Sequence, residues 1–464
     1  MLYERYHIPT TPAPPRHTVI GKFKVIRDEE LCRNCGRCSE ACIYGVHERK
    51  NDETRSMAEP LSHLCRNCFR CMQKCPTHAL QMIMNPEYRA LGDDYWEPHR
   101  LWTIWYEAEN GRIPVFGAGF RGPFDGPWFD GMWTDMSEIV RPTRDGIHGR
   151  EYISTAVDIG RKPPFIEFDK RGEIVSEITK VLEIQLPIIF DLLPMETFGE
   201  RMTSIVSRAA AWLGALCIAP LEHADKIPTQ ERTNFVPVVG DRIRQADIDA
   251  LKEASMVEVE YGDRFEELLS EVRMHNPEAL TAARLPLNPD LPELLVGISE
   301  LKIDAAHITA DYWGLEKGTE QPRHLRYALR EAHQSLMEQS MRDELSLIVS
   351  GGIAAAEHVP KAIILGADAV AIDRVLMIAL GCRLCGSCTA PQICPVDIMQ
   401  ADFGWGVQRI VNVMGAWRDQ LLEVMGAMGI RDVRRLRGEL GRSMFSEDIE
   451  REVFAPLFEG GREE

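Results

Sequence analysis

The 464-residue chain sets 53 Lys and Arg against 71 Asp and Glu, a formal net charge of −18, and 45% of its residues are apolar. That apolar share is enough for a large core and excludes a disordered chain or a disulfide-stapled miniprotein; the length allows about two to four domains. The negative field repels phosphate backbones and anionic bilayers, which excludes nucleic acid as a partner, and no apolar run reaches the ~18 residues of a transmembrane segment.

The chain opens MLYERYHIPTTPAPPRH, with no apolar stretch of the kind a secretory signal needs. A cytoplasmic location is therefore expected, and the 13 cysteines read as reduced thiols or metal ligands. Residues 1–20, rich in Pro and Thr, read as an extended arm, and residues 21–85 as a two-cluster module. In that module Cys32, Cys35, Cys38 and Cys42, then Cys65, Cys68, Cys71 and Cys75, each follow C-x2-C-x2-C-x3-C. Short gaps let one loop wrap an iron–sulfur cube, and in two-cluster ferredoxins the fourth cysteine crosses to the other cluster. One [4Fe–4S] cluster is thus expected on Cys32, Cys35, Cys38 and Cys75, and another on Cys65, Cys68, Cys71 and Cys42. Zinc, the alternative, favours two C-x2-C pairs farther apart.

Residues 86–185 are rich in Gly, Pro and Trp and read as a connector of short strands and turns packed on its neighbours. Its tryptophans (Trp96, Trp102, Trp105, Trp128, Trp133) have the composition of a docking surface, though burial in the core is the plainer reading. Over 186–378 eight short apolar runs appear: Pro187–Phe190, Gly214–Ala219, Phe235–Val239, Met256–Glu260, Thr281–Leu285, Asp304–Thr309, Leu345–Ser350 and Asp368–Asp373. Amphipathic segments such as Asp263–Met274 and Pro322–Met341 lie between them. Eight strand–helix units predict an α/β fold closed as a (β/α)8 barrel, with an open doubly wound sheet as the alternative. Residues 379–400 hold a third group, Cys382, Cys385, Cys388 and Cys394, spaced C-x2-C-x2-C-x5-C and followed by Pro395. It reads as a third cluster, [4Fe–4S] or [3Fe–4S], the spacing leaving the type open. Residues 401–464 read as helices and a polar tail, and Cys217 stands alone in an apolar run.

Barrel active sites lie at strand C-termini, with phosphate often bound after the last two strands. The seventh run ends Ser350-Gly351-Gly352, a turn whose N–H groups could approach a phosphate. After the eighth, Arg374 would attract a phosphate and Asp373 repel it. Arg284 ends the fifth run where a reduced flavin would gain from a cation. His307 reads as a satisfied core histidine.

These motifs resemble the archaeal-type glutamate synthase family. The supporting segments are the paired cysteine motifs, PTRDGIHGREYISTAVDIGRKP (142–163), LREAHQSLMEQSMRDELSLIVSGGI (329–353), KAIILGADAVAI (361–372) and the ALGC…CPVDI stretch (379–398). The resemblance implies a ferredoxin module joined to an FMN-binding synthase barrel. It implies a [3Fe–4S] cluster on Cys382, Cys388 and Cys394, with Cys385 extra. It also implies half of a flavin phosphate site at Ser350, Gly351 and Gly352, with Arg284 standing where the family has a lysine near the flavin. Departures stand beside it: Phe190-Asp191-Leu192-Leu193-Pro194 replaces a Met-Ser-Phe-Gly segment, and Asp373-Arg374 replaces a Gly-Thr phosphate turn. Residues 220–233 and 311–319 replace Gly-rich loops, and the start Met1-Leu2-Tyr3 offers no amino-terminal cysteine nucleophile. The expectation is an iron–sulfur oxidoreductase of the glutamate synthase type. It would pass electrons between the module and a barrel cluster or flavin, with redox proteins or further subunits as partners. The alternatives are a genuine ferredoxin-dependent glutamate synthase and a flavin-less wiring subunit.

Overall fold

The computed structural model describes residues 6–51, 55–114, 122, 126–136, 152–162, 166–175, 179–194, 199–386 and 394–454. Near the amino terminus, β1 (Phe23–Arg27) pairs antiparallel with β2 (Leu80–Met84), and the short helices α1 (Arg37–Ala41) and α2 (Arg70–Lys74) pack together between them in sequence. The small core beneath is built from Val25, Val46, Leu80 and the cysteines themselves.

Helix α3 (Pro98–Asn110) follows, with proline in its first turn and Gly111 as its left-handed C-cap. It buries Leu101, Trp102, Ile104, Trp105 and Ala108 on one face. Besides short strands, the connector holds this helix, which the sequence does not announce: buried Arg100 and Glu107 interrupt the apolar stripe by which an amphipathic helix is recognised. Trp96 is fully buried, whereas Trp133 in β3 (Met132–Thr134) is 46% exposed.

The antiparallel pair β4 (Val157–Gly160) and β5 (Val181–Ile184) leads into the barrel. Eight parallel strands then close on themselves in sequence order. They are β6 (Ile188–Phe190), β7 (Cys217–Pro220), β8 (Phe235–Val239), β9 (Met256–Glu260), β10 (Leu280–Pro286), β11 (Ala305–Thr309), β12 (Ser346–Ser350) and β13 (Ala369–Ile372). The eight expected runs are these eight strands, and the open-sheet alternative falls. Each strand is buried almost throughout, which is why it reads as an unbroken apolar run. Gly160 exchanges hydrogen bonds with Ser346 Oγ at the start of β12, so the β4–β5 pair covers the barrel's N-terminal end.

The crossover helices are α4 (Gly199–Leu213), α5 (Ile248–Glu253), α6 (Phe265–His275), α7 (Leu291–Glu300), α8 (Leu325–Glu338) and α9 (His358–Ile364). Between β7 and β8 two 3-10 stretches take a helix's place. After β13 come α10 (Arg374–Ala379) and the 26-residue α11 (Phe403–Met428), whose N-cap Asp402 accepts from Trp405 N. The arm lies along α11: Asn412 bonds Thr11 on both its N–H and carbonyl, and Arg409 reaches the carbonyl of Ala13. Among the described residues no helix is long and apolar enough to cross a membrane.

Candidate functional site

In the cysteine module the two motifs exchange their last members. Cys32, Cys35, Cys38 and Cys75 line one small cavity. Cys42 stands instead with the second motif, near enough for its thiolate to raise the pKa of both Cys65 and Cys71. Burial is the larger cause at both, and it pushes Cys71 up to about 11. Burial also disfavours the thiolate of Cys75, but the hydroxyl and N–H of Thr77 and the N–H groups of Ala79 and His78 outweigh it and lower its pKa. Ala79 N lies 3.3 Å from Cys75 Sγ, an N–H···S contact of the kind that tunes cluster sulfurs. Among the described residues no three His, Cys, Asp or Glu converge on a single-ion site. Four soft donors around a common void fit a polynuclear cluster, whose iron would neutralise thiolates that otherwise repel one another.

The third group begins at Cys382, buried just beyond α10; Cys385 is exposed and Cys394 half-buried. Cys388 lies outside the described residues. Gly381 and Arg383, which flank Cys382, share a cavity with Val396, two residues past Cys394, and with Trp102, Trp105 and Trp405. His17 of the arm bonds the carbonyl of Val396 at 2.8 Å. Arg66, next to Cys65, places its guanidinium 5.7 Å from the ring of Trp102. The same α3 packs on α10, so one helix touches both the module and the approach to Cys382.

At the barrel's C-terminal end lies a polar cavity of about 530 Å³. A charged network forms its floor. Arg284 of β10 holds Asp191 at 2.9 Å and Glu258 at 3.0 Å. His307 of β11 bonds Glu258 through Nδ1 at 2.8 Å and Ser350 Oγ through Nε2 at 3.0 Å, so the histidine is satisfied on both ring nitrogens. Burial works against the charge of Asp191, but Arg284 and then His307 bring its pKa down to about 2. The same two residues lower that of Glu258 against its burial. Lys317 also lines the cavity, its pKa lowered by burial first and Arg284 second. The sequence reading missed Glu258 and Lys317. Glu258 sits in the run Val-Glu-Val-Glu, where either glutamate passes for the strand's solvent face; Lys317 carries no motif.

The resemblance implies a flavin as well as clusters, and the residues at the turns can be tested for its phosphate. Gly351 and Gly352 have φ of +94° and +68°. A Cβ on Gly351 would stand 2.6 Å from the carbonyl oxygen of Asp311, and one on Gly352 would stand 2.8 Å from Gly314. These glycines are therefore needed for close packing of the chain's own 310–314 segment. Across the turn, the Asp373 carboxylate accepts from Arg374 N and from the Arg374 guanidinium, both at 2.5 Å. Arg374 also stacks over Tyr312 at 4.0 Å. A carboxylate thus caps the helix end where a phosphate would bind, and Arg374 is neutralised within the chain. Ser350, Gly351 and Arg374 do line the mouth with Arg284, but Ser350 serves His307 and Arg284 serves two carboxylates. The residues present do not fit a flavin phosphate.

A family model described as a conserved region in glutamate synthase matches residues 315–431, the last barrel units and the third cysteine group. Fold and site define the class: a glutamate-synthase-type (β/α)8-barrel oxidoreductase with an amino-terminal cysteine module. The archaeal-type glutamate synthase [NADPH] of Thermotoga neapolitana is 28% identical over 91% of this chain and 94% of that protein. The archaeal glutamate synthase [NADPH] of Methanocaldococcus jannaschii is 28% identical with the same coverage of each. Among solved structures, the recombinant flavin-binding domain of baker's yeast flavocytochrome b2 aligns at 12% identity and a TM-score of 0.41, over 81% of this chain and 87% of that one. Over about nine-tenths of its length the chain is thus similar to archaeal-type glutamate synthases.

Proposed function

We propose that this chain is an electron-relay subunit of a larger oxidoreductase assembly, carrying electrons between the amino-terminal module and a cluster held beside the barrel. The observation that carries the reading is the exchange of cysteines between motifs, Cys75 joining Cys32, Cys35 and Cys38 while Cys42 joins Cys65, Cys68 and Cys71. Each set offers four thiolates to one [4Fe–4S] cluster. Bound there, the clusters supply one-electron transfer. The protein's own contribution is positioning and exclusion of water. Helix α3 bridges from Arg66 beside Cys65 to α10 before Cys382, and the arm seals the cavity between them through His17. The expected partners are redox proteins or further subunits.

The second reading, reductive amination of 2-oxoglutarate as in a ferredoxin-dependent glutamate synthase, is favoured by coverage of 94% of the named relatives. It is opposed by the self-filled phosphate turn. The test is EPR of the dithionite-reduced protein, purified without oxygen, beside Cys75→Ser and Cys42→Ser variants. The expected result is two interacting reduced clusters in the wild type, with each variant disturbing a different one. A single signal altered alike by both substitutions overturns the assignment.

A further inference from the structure

The chain repeats one backbone signature three times, twice in the cysteine module and once beyond the barrel. Two residues after the first cysteine of each group stands a non-glycine residue in the left-handed region: Asn34 (φ 52°), Asn67 (φ 57°) and Leu384 (φ 48°). Four residues after that first cysteine the left-handed region recurs at Gly36 (φ 79°), Phe69 (φ 59°) and Gly386 (φ 68°). The cysteine between them, Cys35, Cys68 or Cys385, is exposed in every case. In two of the loops the N–H of the second residue donates to the sulfur of the first, Asn67 to Cys65 at 3.5 Å and Leu384 to Cys382 at 3.4 Å.

Leucine and phenylalanine seldom enter the left-handed region of their own accord. Its recurrence at matched positions therefore reflects what the loop has to do, not the preference of any one side chain. In the first two loops that task is to turn successive sulfurs toward a common centre. We propose that Cys385 is a cluster ligand equivalent to Cys35 and Cys68, and that the third cluster is accordingly [4Fe–4S]. This rests on the reading of the third group as a cluster site. The family resemblance implies three ligands, Cys382, Cys388 and Cys394, and a three-iron cluster, which lacks one corner iron. A fourth thiol, losing its proton to solvent, forms the Fe–S bond that holds that corner.

The test is made on full-length holoprotein purified without oxygen, with iron counted and EPR recorded in the oxidised state, beside Cys385→Ser. The expected wild type holds about twelve irons per chain and shows no oxidised three-iron signal. Cys385→Ser is expected to lose about one iron and to acquire that signal. A wild type that already shows one three-iron cluster per chain overturns the inference alone, and it does so even if the variant fails to fold. About eight irons with no third paramagnet overturns the cluster reading on which the inference rests.

Discussion

Glu107 ties the stability of the α3–α11 contact to pH. Its side chain is 2% exposed and accepts a hydrogen bond from Trp417 Nε1 at 2.9 Å. Burial, opposed by that bond and helped by Glu357, pushes its pKa up from 4.5 to about 8. A raised carboxyl holds its proton in the folded state while the unfolded chain gives it up. Stability must therefore fall as pH climbs from about 4.5 to 8 and level off above. A displacement of that size corresponds to about 5 kcal/mol at the alkaline end, as an order of magnitude. Glu107→Gln keeps an oxygen for the Trp417 indole and removes the ionisation. At pH 9 the variant should melt higher than wild type by about 5 °C or more, and near pH 5 the two should nearly coincide. Thermal unfolding followed by circular dichroism at one scan rate, on anaerobic holoprotein from pH 5 to 9, measures this. Parallel pH profiles, or a glutamine variant that is weaker at pH 9, would refute the reasoning.

Other expectations follow from the barrel. Arg284→Met strands Asp191 and Glu258 in the floor without their shared cation, and should cost about 3–5 kcal/mol in urea unfolding; an unchanged midpoint contradicts the network. Cys217 is buried in β7, with its thiol pushed up to about 12 by burial, so Cys217→Ala should keep all iron; lost iron would make it a ligand. Equilibrium dialysis should show no stoichiometric FMN on the wild type and tighter FMN binding by the double variant Asp373→Gly, Arg374→Thr. One FMN per wild-type chain would show that the turn accepts a phosphate after all.

The barrel was legible because its strands are buried on both faces, so Phe235–Val239 and Ser346–Ser350 stand out as apolar islands between helical periods. The grouping of Cys75 with Cys32, Cys35 and Cys38 around one cavity was legible for another reason: the doubled spacing is itself a geometric constraint. Helix α3 was not, because Arg100 and Glu107 are buried among its apolar residues and Pro98 reads as a breaker until it is seen to occupy the first turn. The mouth was half legible. Asp373 and Arg374 were noticed as opposite influences on a phosphate, but their pairing with each other depends on side-chain reach that spacing does not encode. The left-handed residues Leu384 and Phe69 were invisible for a related reason, since the loop imposes a conformation their side chains do not favour.

The most direct test of the account is iron, zinc and acid-labile sulfide counted per chain on protein purified without oxygen. At least about eight irons with matching sulfide and no stoichiometric zinc are expected. One or two zinc ions without sulfide would contradict it, and the cysteine sets would then be structural pins rather than an electron path.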